Sequence, residues 1–446
     1  MELQANDAGV YSISTVPAGQ YDITVMVTGF QTHLGVAYRL SEGFVMRAGY
    51  GIAYDPVNIA RNPLHSFPLQ TALSVTAANG FASTSKLSDG ITSFNAPDLQ
   101  SGVIPVPGNV TMELFDPNFR RAYVQSYNVM LQKEFKGWVA EGGYAANGTR
   151  DMQNRWNANY GFINGGTVSR VLNQRFGRTA DTNFSSDTGG FNSSYNSMQS
   201  SLVRRYKSGY FTKFTYTWSK AIGPNGNGTG VDGYSQATPA YFNLNKSLQA
   251  YDRTHMFTGS WGGPLPFGAG HRYGNAVLSK LLLSGWQWNG LIAAYTGTPF
   301  SVSADGTSLN APGNSQLADQ VKPNVAILGT RDSWFDPLAF APVTDARFGT
   351  SGFNILRAPG LVNLDSRIFR TFKFTERFSV QFKAEAFNLT NTPHFAGPGA
   401  NVSSLQKNAD GSIRSLNGFT VINAVQNNGR EGVDERMFRF ALRVSF

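Results

Sequence analysis

The segment Met437-Phe438-Arg439-Phe440-Ala441-Leu442-Arg443-Val444-Ser445-Phe446 constrains this chain more than any other. Read at a period of two, it places Phe438, Phe440, Leu442, Val444 and Phe446 on one face. Met437, Arg439, Ala441, Arg443 and Ser445 fall on the other. One face suits hydrocarbon and the other suits water. A strand of a soluble sandwich carries the same alternation, so the pattern fixes a strand and leaves its solvent open.

Composition narrows the choice. Charged residues make up 15% of the chain, against about 25% in soluble domains, while aromatics reach 13% and glycines number 48. This is a mixture of strand and turn formers. The longest apolar approach, Val277 to Leu283, is interrupted by Lys280, so no run of about 18 apolar residues exists for a transmembrane helix. Membrane strands remain open, because alternation hides their hydrophobicity. With no cysteine there is neither a disulfide framework nor a thiolate metal site. The formal charge of +9 is carried by Lys and Arg scattered singly along alternating stretches. That distribution suits a wall facing anionic headgroups or a polar lumen, and not a nucleic-acid stripe. Met1 to Asp7 shows neither the basic start nor the apolar core of a signal peptide.

Along the chain, residues 1–32 read as a unit of their own. Gly9 to Ser14 and Tyr21 to Val27 alternate around the turn Val16-Pro17-Ala18-Gly19, which gives a hairpin. From His33 onward, strand pairs joined by short turns alternate with long loops. The expected strands are Gly35–Leu40 with Phe44–Tyr54, Arg120–Phe135 with Trp138–Ala146, and Asn196–Lys207 with Tyr210–Ile222. Asp252–Gly262 with Gly285–Tyr295 and Leu361–Phe372 with Arg377–Leu389 follow, and a last strand starts near Asp434. That makes about eleven strands, many near the ten residues that a tilted strand needs to cross a bilayer. With short turns on the periplasmic side, an odd count makes the chain enter downward at Gly35 and finish downward at Phe446, which puts Phe446 on the periplasmic side.

Two strands show both faces clearly. Phe378, Val380, Phe382, Ala384 and Ala386 oppose Ser379, Gln381, Lys383 and Glu385, and Tyr210, Phe214, Tyr216 and Trp218 oppose Lys213, Thr215, Thr217 and Ser219. Trp138, Trp218, Trp261, Trp286 and Trp288 fall near strand ends, where aromatic girdles meet headgroups; core packing is the alternative for each.

These segments resemble a known family. Gly35 to Pro56, Tyr195 to Ile222, Asp252 to Gly268 and Gly360 to Phe395, with its FKAEAFNLTNTPHF stretch, are similar to the C-terminal half of the barrel in Oar-like TonB-dependent outer-membrane receptors. Residues 1–32 resemble the last strands of a carboxypeptidase-regulatory-like sandwich, a carbohydrate-binding-like fold. The resemblance implies an all-β fold, a partial transmembrane antiparallel barrel over 33–446 preceded by a short sandwich remnant. It implies location in the outer membrane of a Gram-negative bacterium, and lipid, lipopolysaccharide and the barrel-assembly machinery as partners. Phe438, Phe440, Leu442, Val444 and Phe446 match the closing strand by which such barrels are recognised for assembly. A full member carries a signal peptide, a complete regulatory-like domain, a TonB-contacting segment, a plug and about 22 strands. This chain is expected to be a fragment lacking the plug, so that TonB-driven import of an unknown ligand belongs to its full-length parent.

Other motifs carry less. Gly228-Thr229-Gly230-Val231-Asp232-Gly233 fits G-x-G-x-x-G, but no helical pattern follows, and a Gly/Asn loop explains it. His33, His65, His255, His271 and His394 lack ligand spacing and read as surface or strand-end residues. In Asp252-Arg253-Thr254-His255, ion pairing and a turn contact are expected in place of catalysis. Asp305-Gly306 and Asp410-Gly411 read as turns, since neither has the alternating oxygen ligands of a calcium loop. No catalytic residue, cofactor or metal is assigned. The leading function is ligand capture by long outer loops and passage through a barrel lumen. A passive pore or adhesion barrel and a soluble secreted all-β carbohydrate-binding protein are the alternatives.

Overall fold

The computed structural model of the chain describes residues 31–54, 102–118, 120–152, 154–186, 192–207, 209–225, 232–267, 284–426 and 435–446, with isolated positions 67, 86, 88, 90, 98 and 100. One antiparallel sheet dominates it. Its strands are β1 (Gln31–Ser41), β2 (Phe44–Tyr54), β3 (Tyr123–Phe135), β4 (Trp138–Arg150), β5 (Ser193–Lys207), β6 (Tyr210–Pro224), β7 (His255–Pro264), β8 (Trp286–Tyr295), β9 (Leu361–Lys373), β10 (Ser379–Phe387) and β11 (Met437–Ser445). Each pairs with its neighbours in sequence, an up-and-down meander, and the short strand Lys246–Leu248 extends the pairing at the end of β6.

The turns explain the tight hairpins. Phe135 pairs with Trp138, so only Lys136 and Gly137 lie between β3 and β4, and both have positive φ, 47° and 83°. A two-residue loop of this kind matches the twist of the strands it joins, and the second position favours glycine.

The eleven expected strands are present, with shifted ends. β1 opens at Gln31 instead of Gly35 and so crosses the boundary expected between residues 32 and 33. β4 continues past Ala146 to Arg150 because Asn147, Gly148 and Thr149 pair with Tyr195, Ser194 and Ser193. Backbone pairing there overrides the poor strand propensity of Asn and Gly. β11 starts at Met437, three residues after the expected start. The hairpin expected before residue 31 lies outside the described residues.

Register separates the two faces of the sheet. Val380, Phe382, Ala384 and Ala386 stand opposite Val444, Leu442, Phe440 and Phe438, so the apolar faces expected for β10 and β11 are one surface. Followed across the sheet, the same face carries Leu34, Val36 and Tyr38 of β1, Val129 and Leu131 of β3, and Phe214 of β6. It is exposed: Phe440 and Leu442 each keep 71% of their surface accessible. An apolar face this extensive requires a hydrocarbon neighbour.

Charge obeys the same division. The carboxylates of the eleven strands are Glu134, Glu141, Asp365 and Glu385, and register places every one on the opposite face. Two of them meet cations there, Glu141 with Arg47 at 3.5 Å and Glu385 with Arg367 at 3.7 Å, while Asp365 accepts from Asn363 and from the Asn388 N–H. Aromatic rings bound the apolar face. Phe44, Phe135, Trp138, Trp286 and Phe372 lie at the short-turn end, and Tyr54, Tyr123, Tyr127, Tyr144 and Trp218 toward the long-loop end. Phe44 and Tyr54 are ten residues apart, about 34 Å along a strand, which at a tilt of about 45° rises about 24 Å. This is the height of a hydrocarbon band.

β1 and β11 are the outer strands, and both run toward the short-turn end. Among the described residues no pairing joins them.

Candidate functional site: the loop cap at the sheet's mouth

The fully buried hydrophobic core lies in the long loops and not in the sheet. Val302, Ala318, Phe335, Phe340, Leu356, Val402 and Phe419 form one cluster. Phe335 is its centre, with Phe340 and Phe419 edge-on at 5.8 and 5.4 Å and Phe300 at 5.8 Å. Each buried ring contributes about 2–3 kcal/mol of transfer free energy. The core is assembled from residues far apart in sequence, such as Ser303 bridging to both Leu317 and Asn401. The loops expected to be irregular are thus a packed cap. A second part of it is a four-stranded sheet of Met112–Phe115, Asn154–Asn157, Thr182–Ser186 and Asp232–Gly233.

The cap is fastened to the strands at the Asp252-Arg253-Thr254-His255 stretch. The Asp252 carboxylate is buried, pairs with the Arg357 guanidinium and accepts the Ala221 N–H. Arg357 also donates to the carbonyls of Asp252 and Gly297 at 3.2 and 3.0 Å. Arg253 donates to the Thr296 carbonyl and lies over the Tyr295 ring at 5.5 Å, while Ser219 bonds to the Arg253 carbonyl. His255 sits 2.8 Å from the Tyr216 hydroxyl, rings stacked. The stretch therefore holds the ion pair and turn contacts read from sequence. Sequence reasoning misses Arg357 itself, since nothing local marks a partner 105 residues away.

Above this junction is a cavity of about 300 Å³ lined by Arg253, Thr298, Ala358, Pro359, Phe395 and Gln426. It opens where chain segments enter and leave β7 to β11. Farther out, Arg347 clamps Asp319 with two hydrogen bonds, 2.6 and 2.8 Å, and holds that carboxyl below its usual range. Burial pushes the Tyr234 phenol up.

The remaining sequence candidates separate. His394 is fully buried, with Nε2 at 3.2 Å from the Val362 carbonyl, which corrects its reading as a surface or strand-end residue. The cap encloses it, and no local pattern announces the cap. His65, His271 and Gly228 to Val231 lie outside the described residues, as does the side chain of His33, whose backbone is in β1. Asp232–Gly233 pairs in parallel with Asn154 and Arg155. Asp410 accepts from Ser412 within a turn, whereas Asp305, just before the turn at 306–309, accepts from Asn401, 96 residues along the chain. Among the described residues no group of three or more His, Cys, Asp or Glu is placed to hold a metal. Phe438, Phe440, Leu442 and Val444 come together on the apolar face of β11.

A family model described as an outer membrane beta barrel domain matches residues 6–432. The chain belongs to that outer-membrane β-barrel family. It resides in the outer membrane, with its apolar face toward lipid. Among solved structures, this barrel is similar to the outer membrane transporter YddB from Escherichia coli, at 10% identity and a TM-score of 0.45, over 92% of this chain and 40% of that one. It is also similar to the ferripyoverdine receptor of Pseudomonas aeruginosa, at 8% identity and a TM-score of 0.40, over 93% of this chain and 32% of that one. The FrpB iron transporter from Neisseria meningitidis matches at 8% identity and a TM-score of 0.37, over 92% and 38%. The barrel thus spans well under half the length of these transporters. No curated protein matches the chain.

Proposed function

We propose that this chain is barrel from a TonB-dependent receptor of the Oar-like type, whose long loops capture a ligand at the outer surface for passage through the lumen. The observation that carries this reading is the packed cap. Outer-membrane barrels place their longer loops outside. A loop set with its own buried core, fixed to the strand ends by a buried ion pair, holds a shaped mouth in place of mobile tails. The charged inner face, with its Arg47–Glu141 and Arg367–Glu385 pairs, suits a hydrated path.

The finer assignments belong to the same proposal. Residues 1–32 are assigned to the tail of a carboxypeptidase-regulatory-like domain and 33–446 to the barrel, with Gln31 and Thr32 already paired in the sheet as the start of β1. The apolar face of β11, with Phe446, is the signal read by the assembly machinery, and the TonB complex powers import in the full-length parent.

The test is uptake. Cells with and without the gene are compared for solutes removed from the medium, with and without a protonophore. Gene-dependent, energy-dependent depletion is expected. Gene-dependent ion conductance in planar bilayers with no energised uptake would overturn this reading in favour of a passive pore.

A further inference from the structure

We infer that the short-turn end of the lipid-facing surface is a binding belt for anionic phospholipid headgroups, built from Lys133, Arg204 and Arg370. Register puts all three on the apolar face, opposite Phe44, Trp138 and Trp286 respectively. Each lies two or three residues from the end of its strand. Each also rides over a ring of the aromatic girdle. Lys133 Nζ is 5.7 Å from the Phe44 centroid, the Arg204 guanidinium 5.4 Å from Trp138, and the Arg370 guanidinium 4.4 Å from Phe372.

Depth and sign make this a recognition surface. A cation on the lipid face is strongly destabilising at mid-bilayer and nearly neutral at the interface, so three cations at one level mark the headgroup plane. The rings hold the charges at that plane, where phosphate oxygens lie within their reach. No carboxylate of the eleven strands shares this face, because Glu134, Glu141, Asp365 and Glu385 all point the other way. The strands therefore give this face cations alone at that level, with Glu42 and Glu376 placed in the short turns beyond it and Lys133 Nζ donating to the Glu42 carbonyl at 3.0 Å. β3 to β5 is two strand spacings and β5 to β9 four, about 10 and 19 Å, so the cations meet separate headgroups. With short turns on the periplasmic side, these belong to the inner leaflet. The inference rests on the outer-membrane location and not on what the loops capture.

Native mass spectrometry of the full chain released from detergent, with added phosphatidylglycerol or phosphatidylcholine, tests the belt. The K133Q/R204Q/R370Q variant is expected to bind phosphatidylglycerol on the order of a hundredfold more weakly, about fivefold per cation, with phosphatidylcholine binding unchanged. K133R/R204K/R370K is expected to retain binding. So is R150Q/K220Q, which removes the cations at the long-loop end of the same face. Should the triple variant fail to give the β-sheet circular dichroism of the wild type, Arg204→Gln alone is read for its fivefold loss. Undiminished phosphatidylglycerol binding by the folded glutamine variant, or an equal loss in R150Q/K220Q, would overturn the inference.

Discussion

Arg357 and Asp252 form the contact through which the cap's core and the strand ends share a buried charge. The Asp252 side chain is 1% exposed and that of Arg357 29%, so the carboxylate has exchanged water for a guanidinium and the Ala221 N–H. Removing either partner leaves the other uncompensated. Arg357→Gln is expected to destabilise the cap by about 3 kcal/mol, the low end for a broken buried pair, since the guanidinium keeps part of its hydration. Hydrogen exchange should speed up at Ala358 and Ala221 while the middles of β9 and β10 stay protected. Unchanged exchange at those two amides would remove the ion pair from its role as fastener.

Aromatic rings cover glycines on the lipid face, and Gly290 is the tightest case. It stands opposite Trp261, and a Cβ there would fall within the indole. Gly290→Val is expected to cost about 1–3 kcal/mol by overpacking. Gly35, where an added methyl would meet nothing within 4 Å, should accept Ala with little effect. Urea titration of vesicle-refolded protein followed by tryptophan fluorescence compares the two.

The closing strand offers a test of faces. Leu442→Lys puts a charge on the apolar surface, where about 2–4 kcal/mol is lost near mid-bilayer, whereas Ala441→Lys adds one to the opposite face beside Lys383. The first should lower the heat-modifiable folded fraction on gels and the second should not. Replacing Phe446 by Ala should slow assembly in cells more than refolding in detergent, if the assembly machinery reads that face.

Acid should loosen the cap at Asp319. Its hydrogen bonds to Arg347 depress the folded carboxyl below the ordinary value of 3.8. A depressed carboxyl contributes stability that is fully present above 3.8 and lost as the pH falls through the folded pKa. Protease resistance of the cap should therefore fall below about pH 4, and Asp319→Asn should flatten that part of the profile.

The fold is legible where physics is local. Phe438, Phe440 and Leu442 announce a two-faced strand by period alone, and Ser41-Glu42-Gly43 or Lys136-Gly137 announce their turns, so eleven strands and their faces are readable from the chain. Trp138, Trp218, Trp286 and Trp288 lie on the lipid face as a girdle requires, while Trp261, on the same face, covers Gly290. The cap is not legible. Phe335, Phe340 and Phe419 sit in segments with no period, and their burial depends on contacts across dozens of residues. His394 reads as exposed for the same reason. The amino-acid sequence by itself determined which residues face lipid, because alternation is a property of one strand. Only the tertiary structure decided which loops pack together and which charge closes on Asp252, because those choices belong to pairs that chain order does not bring near one another.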